Sequence, residues 1–288
     1  MTKELAERLI ALADKYEVPS FCDEDPSQFL RWYQPSKGRG TIADVEAASF
    51  IAAMLAFGSR KQFIPKIRQI LETSDRSLGR LSEWLKSGAF CKDFPHGPAK
   101  FYRFYSYDDM QIFFGELAGI LKKSASLGSF FEEKYKEGEA SPSLQPASRS
   151  SATLSPRGKE KSCKQLSSYP PKTPFALHEI VAAAFPKSAI VPKGRSSANK
   201  RIHMFLRWMV RQNSQVDLGL WNWADPASLL IPLDVHVMQE AAKLGLIAEG
   251  ASASRKTAES LTAVLAEVFP GDPCRGDFAL FGLGVDMI

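Results

Sequence analysis

One lysine and one aspartate are the residues whose type and setting could do chemistry in this chain. Lys200 opens the segment KRIHMFLRWMVR, and Asp234 lies in IPLDVHV, between an apolar run and the next helical pattern. A lysine amine attacks carbon only when neutral, which requires desolvation or cationic neighbours to lower its pKa. Arg201 and Arg207 would be such neighbours. A nearby carboxylate can take the amine's proton and can steady a developing sugar cation. Together the two would break a base–sugar bond and trap the sugar as a Schiff base. Each also has a plainer reading. Asp234 stands where an N-cap accepts backbone hydrogen bonds, and a capping aspartate is rigidly held, so the two roles are compatible. Lys200, Met204, Arg207 and Arg211 recur at i, i+4, i+7 and i+11, opposite an inward face of Ile202, Phe205, Leu206, Met209 and Val210. That stripe is equally what a solvated polar face looks like.

Gly194, Ser196 and Ser197 precede this helix. Small residues there would let a phosphate approach the open N–H groups of the first turn, so the stripe from Lys200 through Arg207 to Arg211 reads as a phosphate grip. Trp208, Trp221 and Trp223 flank the same region, and Phe281 can approach from the last helix. Enzymes acting on bases hold the extruded base between flat side chains, whereas a tryptophan in a helical protein is more commonly core. His203, Asp234 and His236 have the types of a two-histidine, one-carboxylate metal site. His236 is more simply a hydrogen-bonding neighbour of Asp234, and no metal is assigned.

The elements that must position these residues are helical. Apolar residues recur at helix spacing from Leu5 to Ala13, then from Ile42 to Leu71 as two helices joined near Gly58. Similar patterns follow around 77–86, 108–122, 127–135, 175–185, 197–211, 235–244, 255–268 and 277–283. Alternating strands bounded by Asn-Gly or Asp-Gly turns are missing, so the fold class is all-α. Residues 137–174 are rich in Ser and Pro and poor in large aliphatics, and read as a disordered insertion. The 288 residues, 44% hydrophobic and 24% charged, are enough to bury a sizeable core and exclude wholesale disorder. Four scattered cysteines exclude zinc-finger and iron–sulfur spacing. The charged N-terminal helix is no signal peptide and no long apolar run occurs, so the protein is expected to be cytoplasmic and without a membrane partner. The net charge of +5 permits an anionic partner without demanding one.

Several blocks carry a resemblance. IPLDVHVMQEAAKLG looks like the Pro-x-Asp-x-His stretch of the helix-hairpin-helix DNA glycosylase superfamily, in particular its 8-oxoguanine glycosylase/AP lyase branch. DVEAASFIAAMLAFGSRKQFIPKIRQIL is similar to that superfamily's early helix pair, and DPCRGDFALFGLGVDM to its closing helix, without the trailing cysteines of the iron–sulfur members. Over nearly the whole chain, DPSQFLRWY, FIAAMLAFGSRKQ, KRIHMFLRWMVR, VDLGLWNW, IPLDVHV and DFALFGLG resemble a bacterial family of conserved proteins of unknown function. The glycosylase hairpin, Leu-Pro-Gly-x-Gly, is replaced here by IVPKGRSSANKR with one glycine.

The glycosylase resemblance implies catalysis by Asp234, with Lys200 as Schiff-base lysine and Lys193 as a weaker alternative. It implies DNA contact at the turn of Ser59, Arg60 and Lys61, duplex DNA with a damaged base as partner, and no cofactor. It also implies two helical subdomains around a cleft, with residues 42–213 forming one and residues 1–41 with 214–288 the other. A non-catalytic DNA- or RNA-binding protein on the same scaffold and a metal-dependent hydrolase are the alternative readings.

Overall fold

Helix ends in this chain are set by side chains the sequence places at them. The computed structural model describes residues 1–140 and 177–286. Its helices, in order, are α1 (Lys3–Tyr16), α2 (Ile42–Leu55), α3 (Arg60–Leu78), α4 (Leu81–Ser87), α5 (Phe90–Asp93), α6 (Tyr107–Leu121), α7 (Leu127–Ala140), α8 (Leu177–Ala183), α9 (Lys200–Val210), α10 (Val235–Lys243), α11 (Arg255–Val268) and α12 (Gly276–Asp286). Thr41 and Asp44 start α2 with reciprocal side-chain-to-backbone bonds, and Ser106 with Asp109 start α6 in the same way. Such boxes satisfy two otherwise orphaned N–H groups each. Gly79 and Gly88 end α3 and α4 in the left-handed conformation that glycine adopts without strain.

α2 is the hub. It is apolar on every side and buried almost throughout, with α3, α4, α7 and α9 packed against it. Phe50, at its centre, stacks on Phe185 at 4.8 Å and meets Phe205 of α9 edge-on at 4.9 Å. Fully burying an aromatic or aliphatic side chain of this size contributes about 1.5–3 kcal/mol relative to exposing it. Two carboxylates in this apolar helix have dedicated partners. Asp44 Oδ1 accepts the Ser82 N–H at 2.7 Å, and Glu46 accepts the Gly128 N–H at 2.9 Å and the Trp221 indole at 2.8 Å.

The core divides into two hydrophobic clusters. The larger runs from Phe29 to Leu229, with Cys274 added, and surrounds α2. The smaller joins α1, α10, α11 and α12 through Leu9, Ile231, Val237, Leu261, Leu265 and Leu280, and includes Ala198 just ahead of α9. The site described below is lined from both.

Two features depart from the sequence expectation. A short antiparallel hairpin, β1 (Lys100–Tyr102) with β2 (Tyr105–Ser106), precedes α6. Its turn is Arg103–Phe104, with Arg103 at φ 50°, so the usual glycine or asparagine signal is absent. The Ser/Pro-rich segment expected to start at 137 begins later, because Glu137 to Ala140 continue α7. Residues 141–174 of that expectation lie outside the described residues. Among the described residues, no helix is long and apolar enough to cross a membrane.

Candidate functional site

Lys200 and Asp234 meet. Lys200 is the first residue of α9, and Asp234 is the N-cap of α10. The lysine Nζ donates to Asp234 Oδ2 at 2.6 Å, while Oδ1 of the same carboxylate accepts the Val237 N–H at 2.9 Å. The capping and the pairing with Lys200 thus coexist on one side chain. Burial pushes the Asp234 carboxyl upward, but Lys200, the Val237 N–H and His236 outweigh it and hold the group below the usual carboxylate range. Both side chains remain partly open, 36% for Lys200 and 26% for Asp234.

Behind this pair lies a charge cluster that corrects the phosphate-grip expectation. Arg207 and Arg211 are 3% and 1% exposed, not on a solvated face. Arg207 donates to Asp277 of α12 and lies 3.3 Å from Asp217. Arg211 bonds Asp272 at 2.7 and 2.8 Å, Glu17 at 2.9 Å, and Asp217. Buried and paired with carboxylates, these arginines act as structural cross-links, although Arg207 also borders the cleft described below and its Nε has no hydrogen-bond partner among the described residues. Met204, on the same stripe, is buried as well. The helical period located the stripe, but of the carboxylates that cover it only Asp217 is near in sequence, while Glu17, Asp272 and Asp277 come from remote segments. Asp277 was not singled out in the sequence. The available signal was a carboxylate in the first turn of a last helix that is apolar from Phe278 to Val285. Burial pushes it up against the pull of Arg207, with Asp234 adding to the rise, to about 6.

The Lys200–Asp234 pair faces a cleft of about 1200 Å³, and Asp277 reaches the same space. Ser59, Arg60 and Lys61, at the turn between α2 and α3, line the same cleft. Arg60 lies 3.8 Å from Asp25 and 5.2 Å over the Phe281 ring. Arg201 bonds the Met54 carbonyl at the end of α2 and the Tyr105 hydroxyl, and covers the Phe57 ring at 4.9 Å. The acidic run Asp23, Glu24 and Asp25 lines the cleft as well, with Asp25 beside Arg60.

Residues 25–286 match the family described as a protein of unknown function, DUF2400. The chain belongs to this family. The match contains Lys200, Asp234, Asp277 and the hairpin, and begins after α1 and Glu17. Comparison with curated proteins gives no match, and neither does comparison with solved structures.

The remaining expected site residues of this DUF2400 member divide sharply. Ser197 and exposed His236 line the cleft, whereas Gly194 and Ser196 do not. The Ser196 carbonyl accepts the Arg255 N–H at the start of α11 at 2.8 Å, and the Gly194 carbonyl accepts the side chain of Asn199, the residue ahead of α9, at 2.8 Å. Lys193 donates to the Ser188 carbonyl, away from Asp234. Trp208 and Trp221 are fully buried, and Trp223 stacks on Trp221 at 5.4 Å. None of the three lines the cleft, so the stacking expectation gives way to a core role. The aromatics that do line it are Phe21, Phe57, Phe63 and Phe281. His203 is buried beside His178, their rings 4.7 Å apart. Accordingly, His203, Asp234 and His236 do not form a metal-holding group, and no such group occurs among the described residues.

Proposed function

We propose that this protein is a DNA glycosylase of the helix-hairpin-helix kind, which excises a damaged base and opens the abasic site through a Schiff base on Lys200. The observation that carries the reading is the 2.6 Å contact between Lys200 Nζ and Asp234 Oδ2 at the wall of a cleft large enough for an extruded nucleotide. The Pro-x-Asp-x-His resemblance around Asp234 supports it.

The chemistry follows from the two groups. As the C1′–N bond lengthens, its electron pair goes to the departing base and the sugar becomes cationic. Asp234, kept ionised by its neighbours, stabilises that cation. Lys200 passes its proton to the departing base, and its neutral amine then adds to C1′. Opening of the sugar ring yields the protonated Schiff base. No cofactor enters these steps. The basic turn at Arg60 and Lys61 would hold the strand beside the cleft.

Borohydride trapping on abasic and 8-oxoguanine duplexes tests the proposal. A covalent adduct with the wild type that is lost in Lys200→Ala supports it. Salt-dependent DNA or RNA binding without any adduct would replace it with a non-catalytic binding module.

A further inference from the structure

We propose that the β1–β2 hairpin is a nucleic-acid wedge, with Phe104 inserting between bases and Arg103 contacting the neighbouring phosphate. The inference rests on the nucleic-acid reading above and extends it to a surface outside the cleft.

Phe104 is 59% exposed, an unusual position for a phenylalanine in a chain with a well-filled core. An exposed ring on a floppy loop would carry no meaning, but this one is braced. Its ring rests edge-on against Tyr105 at 4.6 Å and tilted against Phe57 at 5.3 Å. Phe57 is itself packed by Tyr102 at 5.0 Å and covered by Arg201. The Tyr102 hydroxyl donates to the Phe57 carbonyl, and Lys100 Nζ donates to the Phe104 carbonyl at 2.9 Å. Gly58 completes the fastening. It sits at φ 81°, and a Cβ there would fall 2.4 Å from the Arg103 guanidinium and 2.9 Å from the Tyr102 hydroxyl. The hairpin tip therefore stands fixed beside the turn that carries Ser59, Arg60 and Lys61.

The charges around the ring select its occupant. Arg103, Lys61 and Arg201 form no ion pair with a carboxylate among the described residues, and Arg201 follows Lys200 directly in the first turn of α9. A flat apolar side chain next to Arg103, with Arg201 over the neighbouring Phe57 and Lys61 at the adjoining turn, matches a stacked base with phosphates close by. An apolar protein partner would leave those cations desolvated and unpaired. The acidic run at Asp23–Asp25 lies on the cleft wall, not on the hairpin.

The test uses the full chain and a duplex carrying an abasic-site analogue with 2-aminopurine beside it. Anisotropy reads affinity, and 2-aminopurine emission reads unstacking. Loss of one stacked ring predicts an affinity about tenfold lower or more for Phe104→Ala, together with loss of the emission rise. Phe104→Trp retains both. Arg103→Gln lowers the salt dependence of binding by about one phosphate contact, which Phe104→Ala leaves unchanged. Wild-type affinity and emission in Phe104→Ala would overturn the wedge while leaving adduct formation at Lys200 untouched. If the wild type binds no nucleic acid, both the wedge and the reading beneath it fall. Binding with the emission rise but without any borohydride adduct supports the wedge and removes only the catalytic step.

Discussion

Arg207 donates to Asp277 across the junction of α9 and α12, so the helix that starts with Lys200 is fastened to the last helix by a buried charge pair. Cutting such a link leaves an uncompensated charge inside the protein. Arg207→Leu is therefore expected to unfold at lower urea concentration, while Arg207→Ala, which also opens a void, loses about 3–5 kcal/mol. Arg60→Ala, whose side chain is 41% exposed, should lose less than about 1 kcal/mol. Equal losses in the two alanine variants would contradict the cross-linking role.

Asp234 serves two masters, and a pair of substitutions separates them. Asn caps helices nearly as well as Asp, so Asp234→Asn should keep its thermal midpoint while losing borohydride adduct. Asp234→Ala should lose the adduct and also about 1 kcal/mol from the missing cap. Calorimetry and trapping on the same preparations read the two effects.

His178 and His203 titrate against the fold. Burial holds His178 down at about 4, with Arg255 adding to the effect, and holds His203 well below its usual value. The unfolded chain then takes up protons below about pH 6.5 while the folded one does not, so stability is lost as pH falls from there toward 4. His178→Phe should shrink that loss, measured as the change in urea midpoint between pH 7 and pH 5.

Asp277 titrates with the opposite sign. Its folded value of about 6 lies above that of an unfolded aspartate, so the folded chain holds the extra proton between about pH 4 and 6. Stability falls across that window as pH rises. Asp277→Asn should remove this slope, and an unchanged slope would place the carboxylate in a more polar setting than the structure gives it.

Gly128 lies where two polar groups converge. A Cβ there would stand 2.5 Å from both Glu46 Oε1 and Trp221 Nε1. Gly128→Ala should therefore destabilise by about 1–3 kcal/mol, with a change in tryptophan emission reporting that the Trp221 indole has shifted.

The helices were legible because their apolar residues recur at helix spacing, and Asp234 caps α10 as its place in the sequence suggests. The pairing of Lys200 with Asp234 could be anticipated from residue type at two helix starts. The burial of Arg207 and Arg211 could not, since Asp217 alone lies nearby and nothing local announces carboxylates at Glu17, Asp272 and Asp277. Local periodicity sees one helix face at a time, and α9 is buried on all sides except at its first turn. The hairpin escaped for a different reason. Its strands are two and three residues long, and its left-handed turn residue is an arginine held by Phe57, not a glycine.

The cluster around Arg211 also imposes an order on assembly. Its partner Glu17 precedes it by 194 residues, and Asp272 follows it by 61. During synthesis α9 leaves the ribosome with both arginines before residues 272 and 277 exist, and chain growth is slow compared with helix formation. Until the last helix arrives, the interior of α9 carries positive charge only partly neutralised, and the wall behind Lys200 cannot close. The site is thereby completed last, with its final charge supplied by α12.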